Sequence, residues 1–328
     1  MSFTDKKIVK KPRRHFAENL NVTKWGNVEI EMKKLEKEEI ASSYELINFM
    51  EKVGEISDIL SEEMAWRYIN MTRFADNEEY SNKFNEFYAG VIAKTKPYDF
   101  KFNQKFYDSP YRKELDKEQY AHLNMIIAND IELYREENIP LQVKEQELAN
   151  KYGSIFSKLT VIYKGEEKTM SQLAPFLKDQ DREVRREVWN LRMEKMMEKR
   201  EEFNKLFDEM KDLRIQQAKN AGFSNYRDFM HQAKGRFSYS PQDIIKFHEA
   251  VEKEVVPFLK TFTDERKKIL KIDSVKPWDT SVDLDGKILK PFKEIDEFID
   301  IGIDILYTIK PIFGERLNMM KNSEFLDL

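Results

Sequence analysis

The chain has 328 residues, enough for two domains or one large one. Charged residues make up 35% and hydrophobic residues 41%, and only 10 glycines occur, which favours long helices with charged outer faces over a turn-rich sandwich or barrel. Lys and Arg total 56 against 60 Asp and Glu, so no basic excess points to nucleic acid or to an anionic membrane.

The amino terminus, MSFTDKKIVKKPRRHF, is basic, and no apolar run follows it. It does not read as a secretory signal. Residues 1–24 are expected to form an extended or poorly ordered arm. Helical periodicity runs from Lys34 to Met71, with a break expected near Gly54. A further helix is predicted over about 77–94, ended by Pro97. Residues 97–115 are rich in aromatics, which read as wedges between helices; base stacking is the alternative. Helices are predicted over about 117–136 and 141–158, parted by Pro140.

At LTVIYKGEEKTM (159–170) the helical rhythm stops. Thr160 to Tyr163 are β-formers and Lys164-Gly165 can turn the chain, so one small hairpin is predicted. One helix of about forty residues, roughly 60 Å long, is then expected from Asp181 to a left-handed cap at Gly222. A short helix over about 224–233 leads to GRFSYSP. Ser240-Pro241 opens a long helix to about Lys271, kinked at Pro257. Residues 272–292 read as irregular, and a last helical pair spans about 293–309 and 311–321. No stretch of ~18 apolar residues is present, so no membrane span is expected. The class is all-α, and a soluble intracellular chain is the default expectation.

Cysteine is absent, which removes disulfides, thiolate metal sites and cysteine nucleophiles. Only His15, His122, His231 and His248 are available as imidazole ligands. His248 and Glu252, in HEAVE, fall on one helix face and could touch one ion; an ordinary polar face is the alternative. No G-x-S-x-G elbow or phosphate-binding glycine loop occurs. His231 could donate a proton, or could simply be a buried or capping histidine. Residue chemistry alone supplies no complete catalytic site.

The order of several segments carries a resemblance. AWRYINMT (65–72), FYDSPY (106–111), ELYREENIPL (132–141), DREVRREVW (181–189), AKNAGFSNYRDFM (218–230), GRFSYSP (235–241), KEVVPFLK (253–260), KPWD (276–279) and FGERLNMM…FLDL (313–328) together resemble bacterial oligoendopeptidases of the F type, in the thimet-oligopeptidase family of zinc metallopeptidases. The resemblance implies long-helix lobes that wall a deep peptide channel, with a small sheet. It also implies zinc-dependent hydrolysis of short peptides in the cytoplasm. In that family a His-Glu-x-x-His helix and a later Glu hold zinc, and the motif's own Glu activates water.

By this resemblance the family's zinc motif lies beyond the point matched by Phe325-Leu326-Asp327-Leu328, so no catalytic residue and no metal ligand is assigned in the chain. HEAVE (248–252) lies in a segment similar to a non-catalytic helix of the family. Two domains are expected: an amino-terminal helical lobe over 1–112, and the beginning of a peptidase lobe over 113–328. Alone, the chain is expected to be inactive and to need a separate carboxyl-terminal half. The alternative is a non-enzymatic helical binding module or a decayed peptidase. Arg236, Phe237 and Tyr239 are the candidate peptide-contacting residues, with packing as their alternative role. The apolar residues Leu317, Met319, Met320, Phe325, Leu326 and Leu328 are expected either to form an exposed patch or to tuck onto their own core.

Overall fold

The computed structural model describes residues 12–75, 77–287, 291–323 and 325–326. Its described residues form α-helices and a single two-stranded hairpin. They divide into two compact units. The larger comprises 12–160 and 194–264; the smaller comprises 161–193 and the residues from 265 onward. No helix among the described residues is long and apolar enough to cross a membrane.

The larger unit begins with α1 (Trp25–Lys37) and α2 (Ser43–Arg73). The Ser42 hydroxyl accepts from the Glu45 amide at 3.2 Å and starts α2. Leu46, Phe49, Ile56 and Leu60 form its buried stripe. That stripe continues across Gly54, and α2 does not break there, because packing on both sides outweighs glycine's helix penalty of ~1 kcal/mol. Val28 and Met32 of α1, with Phe87, Val91 and Phe102, complete this core. Phe49 and Phe102 meet edge to face at 5.7 Å. The Lys105 ammonium donates to the carbonyls of Leu35, Glu36 and Glu38 at 3.0, 2.6 and 2.8 Å, closing the carboxyl end of α1.

Of the arm expected over 1–24, residues 1–11 lie outside the described residues. Residues 12–24 carry no helix, yet Phe16, Leu20 and Val22 pack on the core. The backbone amides of Arg14 and His15 donate to the Glu55 carboxylate at 2.7 and 2.9 Å.

Pro97 does not end a helix. After α3 (Glu78–Phe87) a π-helical turn covers Tyr88–Ile92, and α4 (Ala93–Asp108) then runs through Pro97. Phe102 and Phe106 of the aromatic-rich stretch are core residues, so these two act as packing. Next come α5 (Ala121–Leu133) and α6 (Asn138–Ser157). Pro140 sits in the first turn of α6, where its missing N–H costs nothing.

The hairpin pairs β1 (Thr160–Tyr163) with β2 (Glu166–Thr169). Lys164 and Gly165 both take positive φ, 53° and 80°, as a tight hairpin turn requires. The single long helix expected from 181 is two: α7 (Arg182–Glu198) and α8 (Arg200–Asn220). No residue between Val188 and Leu206 is buried, so little packing holds the run straight at Lys199. Gly222 closes α8 with φ 89°, and the Phe223 amide reaches back to the Ala218 carbonyl at 2.9 Å.

Next are α9 (Tyr226–Ala233), α10 (Pro241–Ala250), a second π-helical turn at Val251–Val255, and α11 (Val256–Leu270). Ser240 and Asp243 form a reciprocal capping box at the start of α10. In the smaller unit, α12 (Ile295–Ile309) and α13 (Pro311–Asn322) form a helical hairpin, with Gly314 of α13 against the ring of Tyr307. Among the closing apolar residues, Met319 and Met320 are exposed, while Leu317, Phe325 and Leu326 are half-buried. Leu328 lies outside the described residues.

The loop after α11 is irregular and is held by three arginines. Asp279 is 0% exposed and Arg185 is 2% exposed. Arg182 grips both Asp279 oxygens at 2.9 Å. Arg185 donates to the carbonyls of Trp278, Asp179 and Gln180 at 2.8, 2.8 and 3.0 Å. Arg266 donates to the carbonyls of Asp279 and Val282 at 2.9 and 3.0 Å. Side-chain donors thus satisfy backbone carbonyls that no regular element pairs.

Candidate functional site

The larger unit holds a cleft of about 360 Å³ bounded by α4, α5, α6, α9 and the turn after α5. Lys96, Asp99 and Phe100 project from one face of α4, as their i, i+3, i+4 spacing dictates. Phe100 stacks on Tyr134 at 4.2 Å, and Phe229 of α9 adds a second aromatic wall.

The polar groups are unevenly placed. Thr95 donates to the Asp99 carboxylate at 3.0 Å. Asp99 keeps access to water through the cleft mouth, but the surrounding protein mass pushes its carboxyl up to about 6. Burial also raises Asp130 and lowers Lys96. The Lys96 ammonium donates to Gln142 and lies 5.7 Å from the centre of the Tyr88 ring. Arg135 is committed to structure: it donates to the carbonyls of Tyr134, Glu132 and Asn220 at 2.6, 2.9 and 2.9 Å. Asn138 is likewise tied to α8 through the Gln217 carbonyl at 3.0 Å. The cleft thus sets a carboxyl with raised proton affinity beside an aromatic wall and a lysine. Sequence reasoning missed it, since 60 carboxylates offer no way to choose Asp99.

The sequence-predicted residues lie elsewhere. Arg236, Phe237 and Tyr239 sit on the loop between α9 and α10, outside the cleft lining. Phe237 meets the His122 ring edge to face at 6.2 Å. Arg236 is half-buried and has no hydrogen-bonding partner among the described residues. Tyr239 is exposed. Its carbonyl accepts from His231 Nε2 at 2.7 Å, so His231 fastens this loop to α9. The Nδ1 of His231 is buried with no partner among the described residues.

A zinc ion does not fit the donors present. His248 and Glu252 are both exposed, and a π-helical turn begins between them at Val251. His231 is bonded to a carbonyl, His122 packs on Phe237, and His15 lies beside Glu51 and Glu55. Among the described residues no three His, Asp or Glu side chains are grouped to hold a metal.

Known proteins align with this architecture. The Peptidase M3 N-terminal domain family matches residues 19–134, and Peptidase family M3 matches residues 176–325. A solved structure assigned as oligoendopeptidase F aligns with a TM-score of 0.89 at 19% identity, over 100% of this chain and 56% of that one. PZ peptidase A with an inhibitor aligns with a TM-score of 0.88 at 20% identity, over 99% and 56%. A protein assigned as oligoendopeptidase F from Bacillus anthracis str. Ames aligns with a TM-score of 0.86 at 19% identity, over 96% and 59%. At these identities the likeness is one of fold. The chain spans a little over half the length of the structures it matches. No curated protein matches it.

Proposed function

Because the chain belongs to peptidase family M3, we propose that it supplies the amino-terminal portion of a zinc-dependent, cytoplasmic oligoendopeptidase acting on short peptides. The carrying observation is the ordered pair of family matches, 19–134 then 176–325, on one chain. Coverage of 56% of the matched structures supports a division of labour: this chain gives helical walls, and a carboxyl-terminal portion gives the zinc-binding helices. In this reading the chain alone binds no zinc tightly and cleaves no peptide. Exposed apolar side chains support a missing neighbour. Phe247, Phe258 and Phe262 stand open along α10 and α11, and Ile305, Ile309 and Met319 along α12 and α13. Arg236, Phe237 and Tyr239 are assigned to the peptide-contacting wall. The lobe division at 112 belongs to the same reading, and limited proteolysis maps it.

The test is zinc content together with hydrolysis of a quenched fluorescent peptide. Both are measured on the 328-residue chain alone and after mixing with a carboxyl-terminal family segment that carries His-Glu-x-x-His. The expected result is no stoichiometric zinc and no chelator-sensitive cleavage alone, with both appearing on mixing. Cleavage by the chain alone, or none after mixing, overturns the reading.

A further inference from the structure

A second groove lies wholly within the smaller unit and encloses about 600 Å³. Trp189 and Arg192 of α7 form one side, and Lys276, Pro277, Thr280 and Ser281 of the loop after α11 form the other. Two cations line it, and no carboxylate does. The nearby Arg182 and Arg185 both pair with Asp279; Arg192 has no such partner among the described residues. Its Nε is buried and meets no acceptor there. Arg192 nevertheless lines the groove, so the guanidinium is within reach of an acceptor supplied from outside. Beside the groove, Trp278 packs edge to face on Trp189 at 5.4 Å. Its indole Nε1 is a second buried donor without a partner among the described residues.

We propose that this groove binds an organic carboxylate bearing an apolar group. The carboxylate sits between Arg192 and Lys276, where a planar guanidinium matches its two oxygens. The apolar group lies on Trp189 and on the aliphatic remainder of the lining, Leu177, Met193 and Val275. A free organic acid and the carboxyl terminus of a short peptide share this chemistry. The inference stands on the groove alone and does not depend on the peptidase reading.

Trp189 lines the groove, so binding is readable by tryptophan fluorescence. Four probes are titrated into the full chain: benzoate, N-acetyl-leucyl-leucine, the carboxamide of that dipeptide, and inorganic phosphate. The two carboxylates are expected to give saturable changes, with the carboxamide at least about tenfold weaker, the scale of one charge-assisted hydrogen bond. Lys276→Gln, on an exposed side chain, is expected to weaken carboxylate binding about tenfold, and Arg192→Gln at least as much. A dipeptide tighter than benzoate assigns a peptide terminus; the reverse assigns a free acid. Equal binding of carboxylate and carboxamide, phosphate as tight as the carboxylates, indifference to Lys276→Gln, or no saturable change overturns the proposal. The ligand comparison uses the unaltered chain, so a misfolded Arg192→Gln cannot mask the result.

Discussion

The two units are held together by different physics. In the larger unit the most deeply buried side chains are apolar, such as Phe49, Phe102, Met32 and Ile56. In the smaller unit Arg185 and Asp279 are among the most deeply buried, and they face each other. An apolar interior is bound by area, has no direction, and ignores pH. An arginine–carboxylate node fixes a loop by direction, but removing one partner strands a buried charge. The smaller unit should therefore be the brittle, acid-sensitive one.

The largest effect should follow from breaking the node. Asp279→Ala leaves Arg185 buried without its counter-ion and should cost about 3–5 kcal/mol. Phe102→Ala in the larger unit should cost a similar ~3–5 kcal/mol by opening a cavity. The two separate on pH. The hydrogen bonds from Arg182 hold the folded Asp279 carboxyl at about 2, against an ordinary value of 3.8. Its folded value is depressed, so its contribution is fully present above pH ~4 and is lost as pH falls towards 2, on the order of 2 kcal/mol. The unaltered chain and Phe102→Ala should both show that acid loss; Asp279→Ala should lack Asp279's share of it. Urea unfolding at pH 6 and pH 3, with segment-resolved hydrogen exchange over 265–287, measures this. Equal acid loss in all three would show that the node does not set the smaller unit's stability.

The same contrast explains what the sequence made legible. Apolar periodicity exposes a hydrophobic core, so the stripes of α2 and the end of α8 at Gly222 follow from spacing and glycine chemistry. The hairpin over 160–169 is legible for a similar reason, because Lys164-Gly165 suits a turn with two positive φ values. Directional features left weaker traces. Asp279 is one acid among 60, and nothing local marks it as the anchor of three arginines that arrive from α7 and α11. Pro97 misled, because a helix was expected to end there, whereas Pro257 was expected only to kink a helix that continues. Pro97 and Pro257 each sit a few residues after a π-helical turn, Tyr88–Ile92 and Val251–Val255, and both helical runs continue. A wider turn just upstream lets a helix absorb the displaced carbonyl without ending. The break at Lys199 has no proline or glycine to announce it. Of the candidate residues, the 235–241 loop was legible as a motif, but Asp99 and the unpaired Arg192 needed tertiary neighbours to be seen.

A smaller effect sharpens the comparison at two helical glycines. At Gly54 in α2 an added Cβ meets nothing within 4 Å, so Gly54→Ala should stabilise the larger unit by up to ~1 kcal/mol. At Gly314 the added carbon would overlap the near edge of the Tyr307 ring. Gly314→Ala should destabilise the α12–α13 hairpin, because overpacking costs about 1–3 kcal/mol against the ~1 kcal/mol gained in propensity. In a Tyr307→Ala background the obstacle is gone, and Gly314→Ala should become neutral or stabilising. Thermal melting of the four variants and the double-mutant cycle decide this. A destabilising Gly54→Ala, or no change of sign at Gly314, would contradict the packing described for that unit.

The smallest effect concerns a carboxyl of the larger unit whose charged form burial disfavours. Asp99 has a folded value near 6 against an ordinary 3.8, the opposite sign to Asp279. A raised carboxyl favours the protonated folded state, so stability is lost as pH rises from ~4 through 6. Asp99→Asn keeps a group able to accept from Thr95 and removes the charge. It should raise the melting point of the larger unit at pH 7 and leave it unchanged at pH 4. The gain should stay below about 1 kcal/mol, because water at the cleft mouth screens the carboxylate. A carbon-detected titration of the Asp99 carboxyl should show a midpoint near 6, distinct from the surface aspartates. If Asp99 titrates near 4 and Asp99→Asn is neutral at every pH, the cleft is fully hydrated and the larger unit has no charge to relieve. If the effect appears, the units differ in sign as well as in kind: acid undoes the node around Asp279, while base taxes the cleft around Asp99. A neutral pH then favours the smaller unit at a slight expense to the larger.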